Sequence, residues 1–386
     1  MEYCQHCLPS LRKYHWDLHV DYYVGKLTSW LPRMPAEDLV WKLILKIGQL
    51  FGFIKIERNP DVRFIYNRSL IIFNEARARG IDIAVLKIAG LYKNEFQYTH
   101  RGRTRYFESI PLVASKNAHL IDNKYNFRNF LSVHGVPFAP GSQFTNLNKA
   151  LSFVEKIGFP VVVKPSRGSL GNHSTYPINS EPELKDAIRI AQIYRPDFVV
   201  EKFMPGKNYR ATIIGKKHVF VCEKELPNVV GDGRSNIAEL IKEKNKHPWR
   251  SSSEYRNVSL SQIPINNELR KNLAAQKLNL ESVLPTRQKA YLFNLFLTGT
   301  GCDIINRTNQ TDRSNMELFK KIAELLDTNI IGLDLIAEDI ARPYTSQQFA
   351  ILEGNGVPYI DMHRYPSHGE PEMIEKVIWD VALDEV

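Results

Sequence analysis

The sequence predicts a mixed fold of the α/β (α+β) class, and three observations carry that prediction. Short apolar runs with strand character recur at Val161–Val163, Phe198–Val200, Ile330–Asp339 and from Phe349 onward. Before and between them lie segments whose apolar residues keep helical spacing: Asn123–His134, Leu151–Gly158, Glu183–Tyr194 and Met316–Leu326. Gly or Pro closes or follows several of these segments, as expected where a helix must stop. The chain has 386 residues, 43% hydrophobic and 24% charged, which is ordinary for a globular protein with room for two or three domains.

Three regions follow in order. Residues 1–58 read as a helical, aromatic-rich segment without nameable chemistry. Its apolar stretch Leu39–Ile56 is broken by Lys42, Lys46 and Lys55, which form the polar stripe of an amphipathic helix. A membrane span needs about 20 mostly uncharged residues, so none is expected here. Residues 59–114 form a small α/β unit: VRFIYN as a strand, SLIIFNEARARG as a helix closed by Gly80, IDIAVLKI as a second strand, then TRYFES. The unit has no G-x-G-x-x-G, so a dinucleotide site is not expected. Residues 115–386 make up the third region and carry the chemistry.

The net charge of +9 favours anionic partners. No run of five Lys/Arg occurs and no nucleic-acid-binding motif spacing is present, so nucleic acid is not the expected partner. Cys222 and Cys302 stand alone among apolar residues and are expected as buried thiols. Cys4 and Cys7 flank His6 but lack the second ligand pair of a zinc site. Few cysteines and no signal-peptide pattern place the chain in a reducing cytoplasm.

The motifs cluster in the third region. The run Val161–Val163 delivers Lys164 into a loop with Gly168, Gly171 and several hydroxyl residues. Glycines let backbone N–H groups close on phosphate oxygens while the lysine supplies charge. The order of a Walker loop is absent. Lys124 opens the helix Asn123–His134. Glu201–Lys202 ends a strand before the turn Pro205–Gly206, and such strand-to-turn hinges suit a planar adenine held by backbone groups. Arg210 follows on the next strand. Near the C-terminus Glu353 and Asn355 stand two residues apart on one strand, where alternation would give them one face. Asp334 lies on another apolar strand, where an acid is costly unless paired or metal-bound. Two carboxylates and a carboxamide are hard oxygen donors that suit Mg2+.

The stretches IDNKYNFRNFLSVHGVPFAPG, FPVVVKPSRGSLGN, VVEKFMPGKNYRATIIG, NVVGDGRSNIAELI, SVLP, IIGLDLI and ILEGNGVPYIDMHRYPSHGEP occur in that order. In this the chain resembles the ATP-grasp superfamily, notably the ligase domain of cyanophycin synthetase and, less closely, bifunctional glutathione synthetases. The likeness spans roughly residues 115–377. It implies the ATP-grasp fold: two α+β subdomains gripping ATP, with a hinge near 201–206, behind a small pre-ATP-grasp-like domain. By the same resemblance, Lys124 and Lys164 would contact the nucleotide phosphates, and Gly168 and Gly171 would shape a lid over them. Glu201, Lys202 and Phe203 would line the adenine hinge and Asn208 would sit near the ribose. Arg210 would face phosphate or the substrate carboxylate, with Arg210 and Lys164 as the catalytic pair. Asp334, Glu353 and Asn355 would hold one or two Mg2+ ions, Mn2+ being an alternative, and His363 would lie near the substrate end of the cleft.

The sequence departs from the family pattern at three places. Asn208 stands where an acid is usual, and His173 where a third glycine is common. The family's arginine before the second Gly/Thr loop (Thr298–Thr311) has no clear counterpart. Asn294 is closest by spacing, and Arg287, Lys289 and Arg307 are the nearby cations. The Mur-ligase half of cyanophycin synthetase is not matched, so cyanophycin is not the expected product. The activity implied is ADP-forming carboxylate–amine ligation on an amino acid or short peptide, through an acylphosphate. A nucleotide-binding protein without ligase activity and an ATP-dependent small-molecule kinase are the alternatives. Small-molecule carboxylates and amines are thus the expected partners, with self-association left open.

Overall fold

The computed structural model describes residues 47–384 except 113–116, 122, 168–172, 252–257 and 295–298, together with residues 15, 19, 20, 22, 23 and 45. Gly168, Gly171, Cys4 and Cys7 lie outside the described residues. The chain is mixed α and β, and its sheets are antiparallel.

The first sheet has four strands in sequence order: β1 (Ile54–Glu57), β2 (Asp82–Ile88), β3 (Leu91–His100) and β4 (Arg103–Glu108). Two expectations fail here. Ile54–Glu57 is a strand and not the end of an N-terminal helix, because its backbone completes the edge of β2. VRFIYN is not a strand: Val62–Phe64 form a short 3-10 turn capped by the Asp61 side chain, and Tyr66 then caps the helix Asn67–Ala78. The aromatic and β-branched residues that read as a strand are surface-exposed at Val62, Phe64 and Tyr66.

The second sheet runs β5 (Gly141–Phe144), β8 (Phe198–Lys202), β6 (Val161–Pro165), β7 (Thr175–Ile178) across its width. The helices Leu147–Ile157 and Glu181–Tyr194 cover one face, burying Val154, Leu184 and Ile188 against Val161, Val163, Phe198 and Val200. Gly158 ends the first of these helices with φ of 69°, and its N–H donates to the Val154 carbonyl.

The third sheet is central and has the order β13 (Asp303–Asn306), β10 (His218–Glu225), β9 (Lys207–Ile214), β14 (Ile330–Ala337), β15 (Phe349–Asn355). Alternation along β9, β10 and β14 splits its side chains by face. Tyr209, Ala211, Ile213, Val221, Ile331, Leu333 and Leu335 pack against helices Lys124–Ser132 and Arg313–Leu325. The opposite face carries Asn208, Arg210, Lys224 and Asp334 into a cavity. Further along, the C-terminal helix Ile374–Asp384 joins this sheet to the first one. Trp379 is buried between them and donates its indole N–H to the Ile72 carbonyl at 2.9 Å.

A small excursion between β10 and β13 pairs β11 (Asn228–Val230) with β12 (Lys289–Tyr291) and holds helices Ile237–Lys244 and Asn267–Ala275. The Asn236 side chain and Glu239 cap the first of these reciprocally. Asp303, at the start of β13, is buried and ties the excursion down through Lys244 and Arg250, each at 2.5 Å.

Candidate active site

A cavity of about 850 Å³ lies between the second and third sheets. Of the described residues expected at the site from the sequence, Lys124, Lys164, Glu201, Lys202, Phe203, Asn208, Arg210, Asp334, Glu353 and Asn355 line it, and His363 does not. They arrive from distant parts of the chain, and three ion-pair clusters organise them.

The first cluster is centred on Glu201. The Asn123 side chain accepts the N–H groups of Tyr125 and Asn126, which starts a helix at Lys124 and sets Arg128 one turn on. Arg128 pairs with Glu201, whose other oxygen is 2.7 Å from the Lys164 ammonium. Glu201 is buried, and although burial pushes its carboxyl up, Lys164 and Arg128 outweigh this and hold it below its usual value. Arg128 and Glu201 reach each other across Gly141, where a Cβ would stand 2.1 Å from the Arg128 guanidinium. Lys202 lies on the outside of this strand end, its ammonium donating to the Gly158 and Phe159 carbonyls. Its backbone N–H and that of Phe203 donate to the Pro140 and Pro160 carbonyls, which fixes the strand-to-turn hinge.

The second cluster is centred on Asp334. Arg210, its register partner on β9, grips both carboxylate oxygens at 3.0 and 2.7 Å. Lys224 on β10 adds an ammonium at 2.7 Å, and the Asn355 amide donates at 3.3 Å. Burial raises the Asp334 carboxyl, but Arg210 and Lys224 hold it well below the usual carboxylate range. Gly332 makes room for this, since a Cβ there would stand 2.4 Å from the Arg210 guanidinium. In the third cluster, Glu353 pairs with Lys124 at 3.0 Å.

Simple alternation would put Ile351, Glu353 and Asn355 on one face. The structure corrects this: Ile351 is in the core, while Leu352, Glu353 and Asn355 line the cavity. A β-bulge between the pairs Asp334–Glu353 and Leu335–Ile351 leaves Leu352 unpaired and turns the strand over.

The other expectations resolve as follows. His363 does not line the cavity. Its Nε2 lies 2.8 Å from the Thr212 hydroxyl, it is buried on the inner side of the short helix Asp361–Arg364, and burial pushes its imidazole down to about 3. Cavity-lining residues of this segment are Tyr359 and Met362 instead. Arg287, Lys289 and Arg307 also lie off the cavity lining; Lys289 pairs with Glu225 and Arg307 with Glu223. Asn294 does line the cavity, but brings no charge. The extra cation is Lys224, which the sequence reading missed because KHVFVCEKE reads as an ordinary hairpin strand. Its signal was available in alternation: Phe220, Cys222 and Lys224 share a face, and this lysine points inward. His173, standing where a third glycine is common, adopts φ of 58°, the left-handed region that favours glycine, and its ring bonds to the Ile190 carbonyl at 2.7 Å. Burial pushes the Cys222 thiol up to about 12 and the Cys302 thiol up to about 11, but only Cys222 is fully buried; Cys302 is half-buried and lines the cavity.

The paired network thus sets five cations (Lys124, Arg128, Lys164, Arg210, Lys224) against three carboxylates (Glu201, Asp334, Glu353). That excess suits a polyanion. The donor set also fits a hard divalent ion: Glu353 and Asn355 face the cavity beside Asp334, and a carboxylate engaged by cations retains lone pairs for a metal. No cluster of three or more His, Cys, Asp or Glu occurs among the described residues, so the carboxamide would be needed to complete such a set.

Comparison with known proteins fits this geometry. A family model described as the D-ala D-ala ligase C-terminus matches residues 132–234. Cyanophycin synthetase of Trichormus variabilis is 30% identical over 314 residues, covering 81% of this chain and 34% of that protein. The glutathione biosynthesis bifunctional protein of Listeria innocua is 28% identical over 325 residues, covering 81% of this chain and 41% of that one. The crystal structure of a bifunctional glutathione synthetase from Pasteurella multocida superposes with a TM-score of 0.65, covering 90% of this chain and 46% of that one, at 22% identity. The chain has the ATP-grasp fold. It is a homologue of these proteins, and spans between about a third and two fifths of the curated relatives' length. No helix of this ATP-grasp chain, among the described residues, is long and apolar enough to cross a membrane.

Proposed function

We propose that the chain is an ATP- and Mg2+-dependent carboxylate–amine ligase acting on an amino acid or short peptide. The observation that carries this reading is the convergence of Lys124, Lys164, Arg210 and Lys224 with Asp334, Glu353 and Asn355 in one cavity between two sheets. In the proposed reaction a substrate carboxylate oxygen attacks the γ-phosphorus of ATP, the bond to the β,γ-bridging oxygen breaks, and ADP leaves. An amine then attacks the resulting acyl phosphate at carbon, releasing inorganic phosphate and a proton and leaving an amide. Such transfers need positioning and charge neutralisation more than a protein nucleophile.

Each residue has a place in that scheme. Lys124 and Lys164 would grip the phosphates, giving up Glu353 and Glu201 in part. The hinge at Glu201, Lys202 and Phe203 would hold the adenine, with Asn208 toward the ribose. Arg210 would meet the carboxylate or the transferred phosphoryl group. Asp334, Glu353 and Asn355 would hold Mg2+, which supplies charge neutralisation on the phosphates when bound. Lys224 offers the transition-state charge that the family's absent arginine would otherwise give, which favours ligation over nucleotide binding alone.

The test is ADP release on incubation with pooled carboxylic acids and amines, with mass analysis of the product. Amide formation, one water lighter than the two substrates, supports the reading. A stable phosphoester would replace it with a kinase, and ATP binding without turnover in any pool would replace it with a nucleotide-binding protein.

A further inference from the structure

Beside the Arg210–Asp334–Lys224 cluster the cavity is lined by an apolar wall. Ile304 is the register partner of Lys224 on the neighbouring strand, so the wall begins one strand from the cations. Ile304 and Met362 belong to one buried cluster, with Tyr359 packed against it, and all three line the cavity beside Leu226 and Cys302. Tyr359 is held by the Arg68 guanidinium, 4.9 Å from its ring centroid. The polar groups nearby are already engaged: the Ser259 hydroxyl and N–H donate to Asp361 at 2.8 and 2.7 Å, and Asn294 donates to Asn272 at 2.9 Å. Among the described residues, the cavity's carboxylates are Glu201, Asp334 and Glu353, and each already pairs with lysine or arginine. Among the described residues, a cationic tail would find no free counter-charge beside this wall, and an anionic tail would lose its water against Ile304 and Met362. The cations, by contrast, can still meet an acid group: Lys224 spends one of its three donors on Asp334, and the Arg210 guanidinium beside it lines the cavity.

We propose that this side of the cavity selects the carboxylate substrate as one whose acid group meets Arg210 and Lys224 and whose adjoining side chain is apolar, branched aliphatic or aromatic. This inference rests on the ligase reading for the role of the bound carboxylate, but its selectivity is a binding property that can be measured without turnover.

The experiment titrates four acids into the full chain holding Mg2+ and a non-hydrolysable ATP analogue, by calorimetry: 4-methylpentanoate, 3-phenylpropanoate, succinate and 4-guanidinobutanoate. The apolar pair is expected to bind at least about 10-fold more tightly than the charged pair, the scale on which an apolar pocket discriminates. Leu226→Gln, at a half-buried position that tolerates polarity, should narrow that ratio several-fold, and Ile304→Asn should abolish it. Equal affinities, a reversed order, no binding by any of the four, or an undiminished ratio in both variants would each overturn the proposal. The two readings fail separately. Tight binding of apolar acids without ADP release on adding amines would sink ligation and keep the selectivity, whereas ADP release confined to polar acids would do the reverse.

Discussion

At the residue scale, each of the site's acids is paired with cations that have other work to do. Glu353 pairs with Lys124 at 3.0 Å, and it sits at a partly exposed strand end. Glu353→Ala should therefore cut Mg2+-dependent ADP release by about 100-fold or more while leaving the far-ultraviolet circular dichroism melt unchanged. Activity within a few-fold of wild type across a Mg2+ titration would sink its assignment as a metal ligand. Glu201 is different, being buried between Arg128 and Lys164. Removing one partner of a buried pair leaves a charge uncompensated, so Arg128→Met is expected to cost about 3 kcal/mol in urea unfolding. A loss below about 1 kcal/mol would mean that Lys164 alone suffices.

At the element scale, glycines set how closely the charged side chains approach the sheets. Gly332 lies on β14 under the Arg210 guanidinium, and a Cβ there would also meet Pro358 at 2.7 Å. Gly332→Ala should push Arg210 off Asp334 and lower kcat at least about 10-fold. Gly356→Ala, where an added Cβ meets nothing within 4 Å, is the matched control and should keep near-normal turnover. If the two variants behave alike, the packing of Arg210 against Gly332 has no part in function. Most elements were legible: the helices expected at Asn123, Leu151, Glu183 and Met316 are present, three of them beginning two to four residues earlier than expected, at Leu147, Glu181 and Arg313, and the strands at Val161, Phe198, Ile330 and Phe349 follow from apolar spacing and from the Gly and Pro that stop them. Where the reading failed, as at VRFIYN, β-branched and aromatic residues were taken as strand signal, although their environment is an exposed turn.

At the scale of the whole molecule, pH acts through two opposite populations of carboxyls. Asp334 and Glu201 are depressed in the fold, so the stability they contribute is present above their unfolded values near pH 4 and is lost as pH falls through the folded ones. Glu372 is the reverse: burial raises it from 4.5 to about 7, so the folded chain binds the extra proton between those values. Stability from this group falls as pH rises from about 4.5 to 7 and stays reduced above. Glu372→Gln should thus raise Tm by about 2 °C or more at pH 8 relative to wild type, with a smaller gain or none at pH 5. A pH-independent difference between the two proteins would refute the linkage.

The sequence by itself determined most of the elements, the order of the motifs and most of the residue types that face the cavity, because those rest on local periodicity and on chemistry carried by single side chains. It could not determine which groups pair. Lys224, Arg210 and Asp334 are separated by 14 and 124 residues along the chain but meet on adjacent strands, because register sets which cations share one carboxylate. Only the tertiary structure moved His363 from the cleft to the core, because the short helix Asp361–Arg364 that carries it turns its ring onto Thr212 and Phe220. It alone also showed how Glu353 and Asn355 reach the cavity. Strict alternation would have tied them to the face of Ile351, and one unpaired residue, Leu352, breaks that tie by shifting the pleat.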